Sequence, residues 1–279
     1  MNCSEITKKY YRVNRLPHIW CPGCGHGTLT NTVVRAIDRL GLNKDEVVIV
    51  SGIGCSSRAP GYLDFNTLHT THGRALAFAT GIKLANPKLH VIVIMGDGDS
   101  SAIGGNHLIH AARRNIDITT IVFNNNIYGM TGGQFSPTTP YGDLATTAAY
   151  GNIDKPFDLC SLAQGAGATY VGRATAYHAV LMQRLIEKGI QNKGFSFIEG
   201  LSLCPTYYGR KNKKGNAFKM HTFLKENCID KKIVDKDPEK GKNKIIIGEF
   251  YNNPQPEYIE SYQVITDMFQ GRGEKNGEV

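Results

Sequence analysis

No apolar run in this 279-residue chain approaches the roughly eighteen residues that a membrane-spanning helix needs. Its polar opening, MNCSEITKKYYR, also lacks the apolar block of a secretory signal, so a cytoplasmic location is expected. No internal repeat and no low-complexity tract is present, which excludes a solenoid and a composition-driven disordered chain. The seven cysteines are odd in number and irregularly spaced, so they lack the pattern of a small secreted disulfide frame. Clustered thiols in a reducing compartment read instead as metal ligands or redox groups. What the chain does have is 41% hydrophobic residues and ordinary aromatic and charged fractions, enough for a sizeable packed core.

The net charge of +8 is concentrated late, in Arg210-Lys-Asn-Lys-Lys214 and again between Lys225 and Lys244. A basic patch attracts nucleic acid, phosphorylated ligands or an acidic protein. Here the aromatic interleaving and the motifs of nucleic-acid binders are missing, and the stretch reads as a solvated basic loop with no nucleic-acid partner.

Along the chain, Leu29, Val33, Ile37 and Leu40 fall on one face of a helix over 28–40 that stops at Gly41. Val47-Val-Ile-Val50 then reads as a buried strand leading into the loop Ser51-Gly-Ile-Gly54. The order repeats: helix 74–85, strand 91–95, helix 103–114, strand 118–123, strand 168–172, helix 179–188 and strand 195–198. Buried strands alternating with helices predict an α/β fold, a mostly parallel sheet covered by helices on both faces. Residues 1–205 are expected to form the main domain, and 206–279 a basic extension. That extension holds a long excursion over 207–244, a last helix near 258–269 and a mobile tail from Gln270.

In open parallel sheets, ligands sit beyond the carboxyl ends of strands, where loops enter helix N-termini. Two such ends carry unusual residues: Gly96-Asp97-Gly98-Asp99-Ser100 and Asn124-Asn125-Asn126-Ile127-Tyr128-Gly129. Glycines let the backbone approach a diphosphate, while a carboxylate and an amide oxygen suit Mg2+. Gly-Asp-Gly alone is weak. The spacing of 28 residues from Asp97 to Asn125, with a strand before each and a helix between, is far more specific. It resembles the diphosphate-binding motif of thiamine enzymes, which implies Asp97 and Asn125 as Mg2+ ligands, with Ile127 lending its backbone carbonyl. Gly165-Ala-Gly167 precedes a strand rather than following one, the wrong order for a dinucleotide fingerprint.

Cys21 and Cys24, in WCPGCGHG, have the C-x-x-C spacing of a redox pair or of two ligands to one centre. A redox pair follows a strand, and no strand run precedes Trp20. Cys55 and Cys204 lie in loops just past two other predicted strands, on the edge expected to hold the diphosphate. Four thiolates so placed suit a 4Fe-4S cluster or a zinc ion. Two of them stand singly and far apart in sequence, beside a thiamine site whose chemistry yields electrons, which favours the cluster.

The set CPGCGHG, GIGCSSR, THGRALAFATGIKLANP, GDGDSSAIGGNHLIHAARRN, VFNNNIYGMTGGQ and SLCPTY resembles the β subunits of 2-oxoacid:ferredoxin oxidoreductases, the 2-oxoglutarate type in particular. The resemblance covers most of residues 17–210, in order. It implies a thiamine diphosphate-binding fold and one 4Fe-4S cluster on Cys21, Cys24, Cys55 and Cys204. Ile53, Gly54, Cys55, Ser56 and His72 are implied to line the thiamine diphosphate, with Gly98, Asp99, Gly129 and Met130 nearby. The implied reaction converts a 2-oxoacid, coenzyme A and oxidised ferredoxin into acyl-CoA, CO2 and reduced ferredoxin, and can run in reverse. Pyruvate and branched-chain 2-oxoacid enzymes, a non-redox thiamine decarboxylase and an electron-carrying iron–sulfur module are the competing readings.

Arg58 is expected to meet the distal carboxylate of 2-oxoglutarate. His72 opens a helix near the diphosphate, whereas His26, His107 and His110 read as structural. Cys3, Cys160 and Cys228 match no ligand position. Related thiamine enzymes use a second, pyrimidine-binding domain, and only one domain of that size is legible here. An alpha-type partner subunit is therefore expected to complete the site, with gamma- and delta-type chains beside it.

Overall fold

The structure is a computed structural model and describes residues 3–270. The tail expected to be mobile falls, beyond Gln270, outside the described residues. Ten strands are described: β1 (Val47–Ser51), β2 (Asn66–His69), β3 (His90–Gly96), β4 (Thr119–Asn124), β5 (Ile127–Tyr128), β6 (Gln134–Phe135), β7 (Tyr170–Thr175), β8 (Ser196–Leu201), β9 (Cys228–Asp230) and β10 (Ile245–Asn252). Eight form one sheet in the order β2-β1-β3-β4-β8-β7-β10-β9, and β5 and β6 make a small hairpin. From β2 to β7 the pairing is parallel, and β10 joins β7 antiparallel. The expectation of a mostly parallel sheet is met.

Alternation along the strands builds two cores. Ile49, Ile92, Ile94, Ile121 and Ile198 point to one face, under the helices His26–Arg39 and Ala179–Gln191. Val48, Val50, Val93, Val122 and Phe197 point to the other, under the helices Ala75–Ala85, Gly105–Arg113 and Leu159–Ala166. The inner strands are apolar on both sides because both faces are covered, the pattern that made them legible.

The structure differs from expectation in three places. The helix expected over 103–114 runs Gly105–Arg113, and a short helix that was not expected, Asp97–Ser101, precedes it in the stretch read as a diphosphate loop. The edge strand β2 is polar and only partly buried, so its sequence carries no apolar signal. The basic extension contains a helix, Ala217–Asn227, and contributes β9 and β10 to the main sheet. Ile245-Ile-Ile247 is a strand signal flanked by enough lysine to read as loop.

Register places the site. Ser51 pairs with Ile94, Gly96 with Phe123 and Asn124 with Leu201. The four adjacent strands β1, β3, β4 and β8 therefore end at one level and release their loops along one carboxyl edge. The chain order reverses between β1 and β3, where a doubly wound sheet opens its ligand crevice.

Candidate active site: a diphosphate cleft beside a cysteine cavity

That edge carries two cavities. The first, an open cleft of about 190 Å3, is lined among others by Ile53, Gly54, Cys55, Ser56, His72, Asp97, Gly98, Asp99, Asn125, Ile127, Gly129 and Met130. Every residue expected to hold the thiamine diphosphate or Mg2+ is thus in one place. The second, of about 240 Å3, is lined by Cys21, Cys24, Cys55 and Cys204, with Trp20 and Tyr207. Both cavities share His26, Cys55, Asn125, Gly129 and Met130 as a common wall.

Asp97 follows β3 directly and is 3% exposed. Its Oδ2 accepts hydrogen bonds from Ser136 Oγ (2.6 Å) and Thr138 Oγ1 (2.7 Å). Burial pushes its pKa up, against the opposing pull of those hydroxyls. No Lys or Arg pairs with it among the described residues, so a buried carboxylate is held without a cation. A divalent cation fits that donor set. On β4, Asn124 Nδ2 donates to buried Glu199 Oε1 (2.7 Å), and Glu199 Oε2 accepts from Arg173 Nε (2.6 Å). This pairing fixes the loop that carries Asn125. Ser136, Thr138 and Glu199 stand in no motif and were invisible in the sequence.

Asp99 has another task. Its Oδ1 accepts from Gly73 N (2.7 Å) and Ile53 N (3.3 Å) and lies 2.5 Å from His72 Nδ1, so one carboxylate ties the loops after β1 and β2 together. Its Oδ2 is lodged against Gly52, where an added Cβ would come within 2.0 Å. Gly52→Ala is therefore expected to destabilise the protein by about 1–3 kcal/mol through overpacking. Thermal melting checks it, and an unchanged Tm contradicts the clamp.

The cysteine loop is shaped by close approaches. Gly25 caps the helix His26–Arg39 at φ +87, and a Cβ there would meet Ala176 Cβ at 2.5 Å. Trp20 Nε1 donates to the Cys55 carbonyl at 2.7 Å, and Leu203 N donates to the Cys24 carbonyl at 2.9 Å. These two bonds bring three sequence-distant cysteine loops together. Burial pushes the Cys24 and Cys55 thiols up to about 11, and the neighbouring thiols add to the shift. A Cβ at Gly129 would lie 3.5 Å from Cys204 Sγ and 3.6 Å from Cys55 Sγ. If these thiols hold an iron–sulfur cluster, Gly129→Val is expected to push a side chain between those sulfurs and lower the iron content of the purified protein by at least half, as iron analysis would show.

The four thiols ring a cavity rather than meet at a point: among the described residues no three His, Cys, Asp or Glu side chains converge as for one metal ion. Four thiolates are the donor set of a 4Fe-4S cube, one at each iron corner. The donor set fits the cube.

His26 is 1% exposed, with its ring beside Trp20 and Phe123 and burial depressing its pKa to about 4. It is a neutral spacer between the cavities, a placement its glycine-rich sequence context did not reveal. Arg58 is exposed and lines neither cavity. His107 and His110 lie in a separate groove with Arg114. Cys160 and Cys228 line neither cavity, and Cys160 donates its thiol to Glu199.

Residues 52–200 match the family model described as thiamine pyrophosphate enzyme, C-terminal TPP binding domain. The chain is 56% identical over 253 residues to 2-oxoglutarate synthase subunit KorB of Methanothermobacter marburgensis, covering 90% of this chain and 89% of that protein. It is 57% identical to the subunit of the same name from Methanocaldococcus jannaschii, over 94% of this chain and 97% of that one. A solved structure, 2-oxoglutarate:ferredoxin oxidoreductase from Magnetococcus marinus with 2-oxoglutarate, coenzyme A and succinyl-CoA bound, superposes with a TM-score of 0.85 at 33% identity, covering 98% of this chain and 92% of that one. With the diphosphate loops and the four thiols on one sheet edge, these likenesses place the chain in the family of 2-oxoacid:ferredoxin oxidoreductase β subunits, among the 2-oxoglutarate synthase KorB proteins.

Proposed function

We propose that this chain is the thiamine-binding catalytic subunit of a 2-oxoglutarate:ferredoxin oxidoreductase. The net reaction is 2-oxoglutarate plus coenzyme A plus two oxidised ferredoxins giving succinyl-CoA, CO2, a proton and two one-electron-reduced ferredoxins. The observation that carries this reading is the shared wall between the diphosphate cleft and the four-cysteine cavity. A thiamine decarboxylase without redox chemistry has no use for the second cavity, and a pure electron carrier has no use for the first.

In this reading Asp97, the Asn125 side chain and the Ile127 carbonyl hold Mg2+, and Gly98 with the Ile53–Ser56 loop receives the diphosphate. Thiamine diphosphate, when bound there, would supply a nucleophilic carbon and an electron sink for decarboxylation. Cys21, Cys24, Cys55 and Cys204 would hold a 4Fe-4S cluster, which would supply one-electron transfer beside the cleft. His26, which is buried, stands in the wall between the two groups. His72, oriented by Asp99, stands at the mouth of the cleft. Ile53 and Met130 are each 38% exposed at this mouth, apolar surface for an alpha-type partner subunit carrying the pyrimidine-binding domain.

The test is one anaerobic preparation of the complex, assayed for iron, sulfide and thiamine and for CoA-dependent ferredoxin reduction with 2-oxoglutarate and with pyruvate. Turnover of pyruvate in preference to 2-oxoglutarate overturns the substrate assignment. Arg58, exposed and three residues past Cys55 in the loop after β1, is the cation that a closing partner would desolvate against the substrate's distal carboxylate. Arg58→Leu is expected to lower kcat/KM for 2-oxoglutarate roughly 30- to 1000-fold while sparing an uncharged 2-oxoacid, since a desolvated charge-assisted pair is worth about 2–4 kcal/mol. Equal losses on both substrates would instead give Arg58 a role in the loop or the partner contact.

A further inference from the structure

The basic segment is built against the cysteine cavity. Between Gly200 and Lys225 there is no Asp or Glu, yet Arg210, Lys211, Lys213, Lys214, Lys219 and Lys225 all fall there. All six are exposed, and only Lys214 forms an ion pair among the described residues, with Asp143 at 3.5 Å. Arg210 and Lys211 follow within seven residues of Cys204, through a π-helical turn, Pro205–Gly209, whose Tyr207 lines the cysteine cavity. The helix Ala217–Asn227 lies directly on the C-x-x-C loop. Its His221 Nε2 is 3.0 Å from the Gly23 carbonyl, and a Cβ at Gly23 would meet Ala217 Cβ at 2.4 Å.

Cys21, on that same loop, is exposed, whereas Cys24 and Cys204 are buried and Cys55 is half-buried. The loop segment bearing Cys21 and Cys24 is equally free of acids, with none between Ile6 and Ile37. Two large apolar side chains stand out within this surface, Ile19 at 65% and Phe218 at 77% exposed. A solvated basic loop needs neither the apolar residues nor the docking onto Gly23.

We infer that the surface formed by Cys21, Ile19, Phe218 and the cations Arg210, Lys211 and Lys219 is the docking face for an acidic protein that carries electrons one at a time. The inference rests on the functional reading above and deepens it, naming where the electrons leave and what collects them. Each oxidation of a 2-oxoacid releases two electrons, so two acceptor molecules dock in turn, each taking one electron and leaving in its one-electron-reduced form. The exposed corner at Cys21 shortens the path from cluster to acceptor. The cations steer the acceptor, and Phe218 and Ile19 give it a dry contact.

The test uses the assembled holo-complex and the triple variant Arg210→Glu, Lys211→Glu, Lys219→Glu. All three sites are exposed, and Lys219 stands in the first turn of its helix, where a negative charge is favoured over a positive one, so the fold is retained. With an acidic ferredoxin at low ionic strength, kcat/KM is expected to fall about 10- to 100-fold, and the wild type's steep loss with added salt is expected to flatten. Reduction of methyl viologen, which needs no protein docking, stays within about twofold. Ferredoxin kinetics unchanged by the substitutions overturn the docking face. So does a raised KM for coenzyme A with ferredoxin kinetics intact, which would make the patch a small-anion site. Equal losses with ferredoxin and dye overturn it as well. A wild-type complex that reduces methyl viologen without needing 2-oxoglutarate overturns the functional reading itself, and the docking face with it.

Discussion

Serine in place of Cys21, Cys24, Cys55 or Cys204 is expected to remove the iron–sulfur cluster or leave it labile. Each change replaces a soft thiolate, the ligand these clusters require, by a harder and more basic oxygen. The four sites should not fail alike. Cys21 is exposed, so solvent reaches its iron corner first and the serine variant should lose iron fastest in air. Cys24 and Cys204 are 8% exposed and their loops are joined by the bond from Leu203 N to the Cys24 carbonyl, so a partly assembled cluster survives longer there under anaerobic conditions. Mutating mere supporting residues around a metal costs about 10- to 100-fold, so losing a ligand should lower ferredoxin reduction by at least about 100-fold. Cys160→Ser is the control. That thiol lies beside Glu199, where a hydroxyl can donate in its place, and it lines neither cavity. Iron and sulfide analysis with visible absorption decides the matter: four irons and an unaltered spectrum after any of the four changes would remove that cysteine from the ligand set.

These four positions also show what a sequence can and cannot disclose. Cys55 and Cys204 were legible because each follows an apolar strand, and a parallel sheet sends all such loops to one edge. Asp97 and Asn125 were legible for the same reason, reinforced by their spacing. Ser136 and Thr138, which fix the orientation of Asp97, come from a long irregular segment with no periodicity to place it. Glu199 reads as a charge in a strand and gives no hint that Arg173 and Asn124 neutralise and use it. The strand β10 was hidden differently. Its apolar run is short and preceded by lysines, and pairing with β9 and β7, fixed by tertiary contacts, distinguishes it from loop. Local chemistry shows through when a regular element carries it, and is lost when partners meet only through the fold.

Asp97→Asn is expected to abolish Mg2+-dependent binding of thiamine diphosphate to the complex while leaving the cofactor-free protein as stable as before, or more so. The two effects share one cause. Asp97 is 3% exposed and meets hydroxyls and backbone N–H groups but no Lys or Arg among the described residues, an arrangement that costs folding free energy until a cation arrives. Asparagine keeps an oxygen that accepts from Ser136 and Thr138 but carries no charge, so the fold is relieved of that cost. The same change deprives Mg2+ of its only charged ligand in the cleft loops, because Asn125 and the Ile127 carbonyl are neutral and Asp99 is committed to Gly73, Ile53 and His72. Without the bridging cation the diphosphate would face Asp99 uncompensated, and an affinity loss of at least about 100-fold, about 2.7 kcal/mol, is expected. Isothermal titration with and without Mg2+ measures the first effect, and thermal melting of the cofactor-free complex the second. Equal affinity in wild type and variant would move the cation elsewhere. A fall in Tm matching the loss of binding would make Asp97 a structural residue whose removal loosens the loop.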